Sequence, residues 1–92
     1  MLVVLELQLK MLEKPYAARA LLLLYRFGPL NRGTLYDMLS TGATTPIRRI
    51  EELMAAGLIV EEVAEDRKRY LKLTEKGLSV AMPLDEIERA LA

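Results

Sequence analysis

The chain has 92 residues, and its 13 lysines and arginines balance 13 aspartates and glutamates, so its formal net charge is zero. It contains neither cysteine nor histidine, which excludes disulfides, thiolate or imidazole metal sites, and nucleophiles activated by histidine. The length predicts one small domain over residues 1–92, and the 52% hydrophobic content predicts a surface that a second copy covers.

The segment Met1–Lys14 carries two conflicting patterns. Between Leu5 and Met11 apolar and polar residues alternate as in a strand, but leucines three and four residues apart also fit a helical stripe. The strong helix formers in the segment favour a helix. No basic stretch precedes the apolar start and Glu6 interrupts it, so we expect no signal peptide, no membrane span and a cytoplasmic location.

A buried helix is predicted next, opened by Pro15, because the first helical position tolerates a residue without an N–H group. Apolar residues cover most sides of the stretch from Ala17 to Phe27, which is typical of a helix buried on most sides. Gly28 and Pro29 should end it.

A second, short helix should begin after Asn31, whose side chain can cap it, and carry Leu35, Met38 and Leu39 inward. We expect it to end in a glycine-containing turn at residues 40–42, the kind of turn that joins two helices in a helix-turn-helix.

The third helix is predicted to open with Thr45 as its cap and Pro46 in its first turn, and to end at Gly57. Its apolar residues are predicted to face the core: Ile47, Ile50, Leu53 and Met54.

A β-hairpin follows, because Leu58–Val63 and Lys68–Leu73 are rich in strand-forming residues. The charged segment Ala64–Arg67 joins them without a two-residue turn signal, so we expect a longer, mobile loop. Thr74 should cap a last helix, which Pro83 is expected to kink or split. A stripe with coiled-coil spacing runs along that helix: Val80, Leu84, Ile87 and Leu91.

Arg48 and Arg49 lie in the first turns of the third helix, close behind Thr44 and Thr45. Ion pairs with nearby glutamates would explain them, but cations near a helix N-terminus are disfavoured by about 0.3–1 kcal/mol. Such local conflicts tend to occur at functional sites. Arginine can bind guanine or phosphate from this position, and threonine can contact phosphate or a thymine methyl group.

The hairpin tip is cationic, with Arg67, Lys68 and Arg69 in a row. A solvated loop balanced by nearby acids is the alternative, but phosphate contact explains three consecutive cations better. Glu61 and Glu62 oppose DNA binding, and strand alternation can turn only one of them away.

Arg32 stands at the start of the second helix, which crosses the phosphate backbone in helix-turn-helix proteins, so it is a further predicted DNA contact. Tyr36 and Lys72 are weaker candidates for phosphate contact, and Tyr36 fits a packing role at the rim of the core equally well.

Three stretches resemble the small winged-helix regulators of the MarR, HxlR and ArsR groups: GPLNRGTLYDML, IRRIEELMAAGLI and RKRYLKLTEKG. The resemblance implies an α+β fold that is mainly α with a small β-hairpin, and a homodimer built from terminal elements. It also implies a recognition helix in the major groove and a wing on the flanking minor groove or backbone. By position, the recognition helix is matched by Thr44, Thr45, Arg48 and Arg49, and the wing by Arg67, Lys68 and Arg69.

The sequence therefore predicts a homodimeric, sequence-specific binder of double-stranded DNA that regulates transcription, with repression favoured over activation. Residues 1–14 and 75–92 are the expected dimerisation elements. We expect no enzyme activity, because no residue set supports nucleophilic or metal chemistry, and no cofactor or metal. The alternative is a winged-helix module for protein–protein interaction without specific DNA binding, which the neutral net charge favours.

Overall fold

The computed structural model describes residues 8–40 and 44–92. A 3-10 turn at Gln8–Met11 is followed by α1 (Ala17–Phe27), α2 (Arg32–Leu39), α3 (Thr45–Ala55), β1 (Ile59–Val63), β2 (Arg69–Leu73) and α4 (Glu75–Leu91). This is the α+β winged helix-turn-helix arrangement that the sequence predicts. The conformation predicted for the first seven residues, and the turn at residues 41–43, lie outside the described residues.

Helix α1 forms the centre of the core and begins later than predicted. Pro15 lies before the helix, and Tyr16 turns the chain with a left-handed φ of 70° and no side-chain cap. Four residues of α1 are buried: Ala17, Ala20, Leu21 and Leu24. Gly28 ends the helix with a φ of 75°, which confirms the predicted stop.

Helix α2 confirms the predicted cap, because the Asn31 side chain accepts a hydrogen bond from the Thr34 N–H at 2.8 Å. Leu35 and Leu39 are buried as predicted, whereas Met38 is exposed. The prediction for Met38 is wrong. Helix α2 has only two turns, and it contacts the core through one side chain in each turn, Leu35 and Leu39.

Helix α3 begins one residue earlier than predicted. Thr44 is the N-cap residue, its side chain makes no capping hydrogen bond, and Thr45 is already helical. Pro46 is therefore the second residue of the helix, where its missing N–H is equally harmless. Ile50 and Leu53 are buried, but Ile47 is 45% exposed, which corrects its predicted place in the core.

The wing is the antiparallel pair of β1 and β2, in a register that opposes Glu61 to Leu71 and Glu62 to Tyr70. Directly opposite residues share a face of the sheet. Glu61 therefore lies on the face of the buried Ile59 and Leu71, and Glu62 lies on the other face.

The connection between the strands is a turn in which the Arg67 N–H donates to the Ala64 carbonyl at 2.9 Å. The Ala64 N–H closes the loop on the Lys68 carbonyl at 2.8 Å. Asp66 stiffens this turn, because its carboxylate accepts the Lys68 N–H at 2.9 Å. The loop is longer than two residues, as predicted, and it leaves both cations at its end exposed.

The exit from α3 and the start of α4 interlock. Gly57, with a φ of 79°, ends the α3 segment, and its carbonyl accepts the Thr74 hydroxyl. The Thr74 N–H donates to the Leu58 carbonyl at 3.0 Å, while the Thr74 side chain caps α4 by accepting the Gly77 N–H at 3.0 Å. The Ala-Gly-Leu-Ile and Leu-Thr-Glu-Lys-Gly motifs therefore meet at one place in the fold.

Helix α4 packs along α1 and is continuous through Pro83, so Pro83 does not split the helix, and the other predicted outcome, a kink, stays a prediction. A proline removes one backbone hydrogen bond of the helix, and the packing on both sides of it holds the helix together. Asp85 is buried and pairs with Arg26 of α1 at 2.7 Å and with Arg89 at 2.9 Å. In the part of the chain that the structure describes, no helix combines the length and apolar character that crossing a membrane requires.

Candidate nucleic-acid interface

The two arginines at the start of α3 do not share a surface. Consecutive helical residues are about 100° apart around the axis, so neighbours diverge. Arg48 is exposed and forms no ion pair with any residue in the described ranges 8–40 and 44–92. Arg49 is only 7% exposed. This corrects the expectation that both arginines face DNA.

Arg49 anchors α3 to the chain that enters α1. Its Nε donates to the Pro15 carbonyl at 2.9 Å, and its Nη1 lies 2.7 Å from Glu52 Oε2. The same oxygen is 3.0 Å from Lys14 Nζ. The hydrogen bond from Lys14, with help from Arg49, lowers the pKa of Glu52. Arg49 is thus a structural residue. Of the two interpretations of this arginine, ion pairing with a nearby glutamate is the one that the structure shows.

The leading end of α3 presents polar groups beside Arg48. Thr44 is exposed, and its hydroxyl is not used to cap the helix. Thr45, one residue on, is half-buried. Pro46 lacks an N–H, and the Ile47 and Arg48 N–H groups donate to the Thr44 carbonyl, so this end of the helix offers side chains more than backbone N–H groups to an anion such as a phosphate. Thr44 and Arg48 therefore remain together at this end of α3.

Arg32 is held by partners from three elements. Its Nε lies 2.8 Å from Glu61 Oε2 on β1, and its Nη1 lies 2.6 Å from Glu51 Oε1 on α3. Nη1 also donates to the Tyr36 hydroxyl at 3.1 Å within α2. The Arg32 hydrogen bond lowers the pKa of Glu61, and the same contact raises the pKa of Arg32 above its ordinary value. This corrects the expectation that Arg32 and Tyr36 point at the phosphate backbone.

The wing cations keep their charges toward solvent. Arg67 and Lys68 are exposed, and neither forms an ion pair within the described part of the chain. Arg69 is exposed as well, and its one acid contact within the described residues is long, with Nη1 3.8 Å from Glu61 Oε1. The three predicted wing residues therefore remain suited to an anionic partner.

Three other polar residues of the wing have partners within the hairpin: Glu62, Asp66 and Lys72. Lys72 Nζ lies 2.7 Å from Glu62 Oε1 on the face away from the core, so neither is a free charge. The Tyr70 hydroxyl donates to Asp66 at 3.2 Å, and this hydrogen bond raises the pKa of Tyr70. Glu61 and Glu62 are thus each paired with a cation of the same chain, whereas Glu65 in the loop is exposed and forms no ion pair within the described residues.

Sequence reasoning missed the acidic partners of Arg32. The available signal was the position of Glu61 on the same strand face as Ile59, because a carboxylate there needs a cation. No comparable signal identifies Glu51, which is one of two adjacent glutamates on α3.

No protein-family model matches this chain, and no curated protein matches its sequence. Among solved structures, a possible HxlR family transcriptional factor from Thermoplasma volcanium GSS1 superposes with a TM-score of 0.73 and 25% sequence identity. That match covers 94% of this chain and 79% of the other.

A MarR family transcriptional regulator from Silicibacter pomeroyi superposes with a TM-score of 0.71 and 30% identity, over 90% of this chain and 57% of the other. The present chain thus spans little more than half the length of that protein. The shared architecture supports a winged-helix transcription regulator of the MarR/HxlR type.

Proposed function

We propose that this chain, a winged-helix protein of the MarR/HxlR type, binds double-stranded DNA sequence-specifically as a homodimer in the cytoplasm and represses transcription. Helix α3 enters the major groove with Thr44, Thr45 and Arg48 leading, and the wing places its cations on the flanking backbone. The recognition set is the predicted one without Arg32 and Arg49.

The observation that carries the proposal is the contrast between paired and unpaired cations. Arg26, Arg32 and Arg49 are each within 2.9 Å of a carboxylate or carbonyl of the chain. Arg48, Arg67 and Lys68 have no such partner within the described residues, which is also true of the exposed Lys10 and Arg19. A neutral chain that commits many cations internally and leaves these exposed fits a local anionic partner.

The backbone at the wing tip supports a role for charge there. Arg67 holds a left-handed φ of 66°, a conformation that costs a non-glycine residue about 1–2 kcal/mol. Glycine would adopt it without strain. An arginine at such a position favours a function for its side chain, because strained local choices cluster at functional sites.

Dimerisation is proposed from the apolar residues that the fold leaves uncovered. Ile87 is 54% and Leu91 79% exposed on α4, and Phe27 is 62% exposed at the end of α1. A two-fold dimer would cover them and would read half-sites about 10 base pairs apart or a multiple of that.

The second candidate is a protein–protein module on the same fold. Its supporting observation is the same uncovered apolar surface on a chain with zero net charge. The two functions differ in one property, since only a DNA binder loses affinity steeply with salt.

The test compares Arg48→Ala with Lys68→Ala, using fluorescence anisotropy on a duplex selected from a random pool and on random duplex. Arg48→Ala is expected to weaken selected DNA by about 10-fold to 100-fold, through loss of a base contact worth roughly 1–3 kcal/mol. Lys68→Ala should weaken both duplexes alike and flatten the salt slope by about one unit.

Arg19→Ala is the matched control, because Arg19 is exposed on α1, its guanidinium lies 5.9 Å from the centroid of the Tyr16 ring, and it is outside the proposed recognition set. It removes the same charge and should leave both affinities nearly unchanged. Equal losses on both duplexes in all three variants would defeat the assignment of base reading to α3.

A further inference from the structure

We infer that Arg32 is a positioning residue that fixes the wing against the recognition helix, so that specific DNA binding depends on it without any contact between Arg32 and DNA. The inference rests on the proposed function and deepens it. It assigns Glu51 and Glu61, two acids that oppose DNA electrostatically, a favourable part in DNA recognition.

Backbone hydrogen bonds between Leu30 and Leu71 place Arg32, at the start of α2, beside the wing. The Leu30 N–H donates to the Leu71 carbonyl at 3.1 Å, and the Leu71 N–H donates to the Leu30 carbonyl at 2.7 Å. Leu30 therefore adds a one-residue third strand to the wing, next to β2. Because Leu71 is opposite Glu61, the residue that starts α2 lies within reach of the Glu61 carboxylate.

The guanidinium then connects the two elements that are proposed to touch DNA. Its Nε faces Glu61 on β1 at 2.8 Å, and its Nη1 faces Glu51 on α3 at 2.6 Å. The Glu61 side chain is only 19% exposed, so this arm of the contact is shielded from solvent. A planar guanidinium with donors in fixed directions sets a geometry that a lysine ammonium would not.

Geometry matters more for specific than for random DNA. Random duplex is bound through phosphates, which either element can reach independently. Selected duplex requires α3 to be in the groove and the wing on the backbone in one register. A supporting contact that holds both elements therefore raises the ratio of specific to random affinity.

The sign of the Glu61 effect separates positioning from simple electrostatics. Removing a carboxylate near the wing would strengthen binding to a polyanion if charge alone mattered. If Glu61 orients the wing through Arg32, its removal weakens specific binding instead. Glu62 is the matched control, because it sits on the next residue of β1, carries the same charge and pairs with Lys72 on the opposite face.

The experiment measures the affinity of Arg32→Gln, Glu61→Gln, the double variant and Glu62→Gln for selected and random duplex across a salt series. Each single variant at the contact is expected to lose about 10-fold on selected DNA, and the double variant no more than either single one. Random affinity and the salt slope should stay unchanged for Arg32→Gln. Glu62→Gln should bind both duplexes slightly more tightly.

Two further measurements exclude trivial causes. Thermal unfolding by circular dichroism confirms that each variant is folded at the assay temperature, and Arg32→Lys serves in place of Arg32→Gln if the latter is not. Arg32→Lys keeps the charge but lacks the planar fork, so it should also lose specific affinity.

The inference is overturned if Arg32→Gln flattens the salt slope by about one unit, which marks a phosphate contact. It is equally overturned if Glu61→Gln raises affinity as Glu62→Gln does, or if the losses at Arg32 and Glu61 multiply. In each of these outcomes the wild-type protein still binds DNA and the proposed function stands. Wild-type protein without salt-dependent binding would instead remove the proposed function and this inference together.

Discussion

Gly77 shows how one missing side chain shapes the fold. A Cβ atom built there would collide with the carbonyl oxygen of Leu58 and lie 3.2 Å from Leu73 Cδ2. The obstacle includes backbone that is already fixed by its hydrogen bond to the Thr74 N–H, so it cannot yield cheaply. The glycine in the Leu-Thr-Glu-Lys-Gly motif is thus required by a close approach of two chain segments.

Gly77→Ala is therefore expected to destabilise the protein by about 2–3 kcal/mol, because the crowded side chain must displace backbone. Urea unfolding followed by circular dichroism measures this change. Gly33→Ala is the matched control, since its Cβ would meet only Asn31 Oδ1 at 3.6 Å on an exposed helix face. Helix propensity predicts that this control gains about 0.5–1 kcal/mol. Equal effects of the two substitutions would contradict the close-approach explanation.

At the scale of elements, the starts of α2 and α4 were predictable, whereas the starts of α1 and α3 and the facing of individual side chains were not. Asn31 and Thr74 cap their helices as predicted, because capping depends on a residue and the N–H groups that follow it. Arg48 and Arg49 are chemically identical neighbours, and only the packing of α3 on the entry to α1 decides which one faces inward. The sequence around Arg49 does not indicate that the Pro15 carbonyl will be its partner.

At Pro83 and at Arg32, tertiary contacts decide the outcome, and local sequence does not specify those contacts. Propensity predicts a kinked or split helix at Pro83, and packing of α4 on α1 keeps the helix continuous there. The position of Arg32 in the motif predicts a phosphate contact. In the structure, its guanidinium instead forms ion pairs with two glutamates from other elements. At both sites the sequence pattern does not identify the tertiary partner, which is α1 for Pro83 and the two glutamates for Arg32.

The contacts between elements also predict how stability depends on pH. Hydrogen bonds from Arg32 and from Lys14 lower the pKa values of Glu61 and Glu52 respectively below their ordinary value of 4.5. A carboxylate with a lowered pKa in the folded state contributes stability above its ordinary pKa, and that contribution is lost as the pH falls through the lowered value. The midpoint of thermal unfolding should therefore fall as the pH drops below about 4.5.

Glu61→Gln isolates one part of this pH dependence. The variant should be less stable than the wild-type protein at pH 7, and the difference should shrink as the pH falls below about 4.5, because protonation of Glu61 in the unfolded chain removes the stability that its lowered pKa contributes. Scanning calorimetry across this range measures it. A constant difference from pH 7 to pH 3 would show that the Arg32–Glu61 ion pair contributes nothing to folding.

At the scale of the whole molecule, the charged residues of this neutral chain fall into two groups: those in ion pairs between elements, and exposed cations outside such pairs. Internal ion pairs join α1 to α4, α3 to the entry of α1, and α2 to the wing. The exposed cations Arg48, Arg67 and Lys68 remain outside these pairs within the described residues. Net charge is therefore a poor guide to the partner of this protein, and the placement of charge is the better one.

The salt dependence of binding to random duplex tests the proposed DNA binding most directly. Each chain offers three wing cations, Arg67, Lys68 and Arg69, so a dimer that neutralises about six phosphates should show a slope near −5 in a plot of log K against log salt concentration. Micromolar binding at low salt with a slope of about that size is the predicted result. Absence of binding at micromolar protein, or a slope near zero, would contradict the proposal and leave the protein–protein module as the better account.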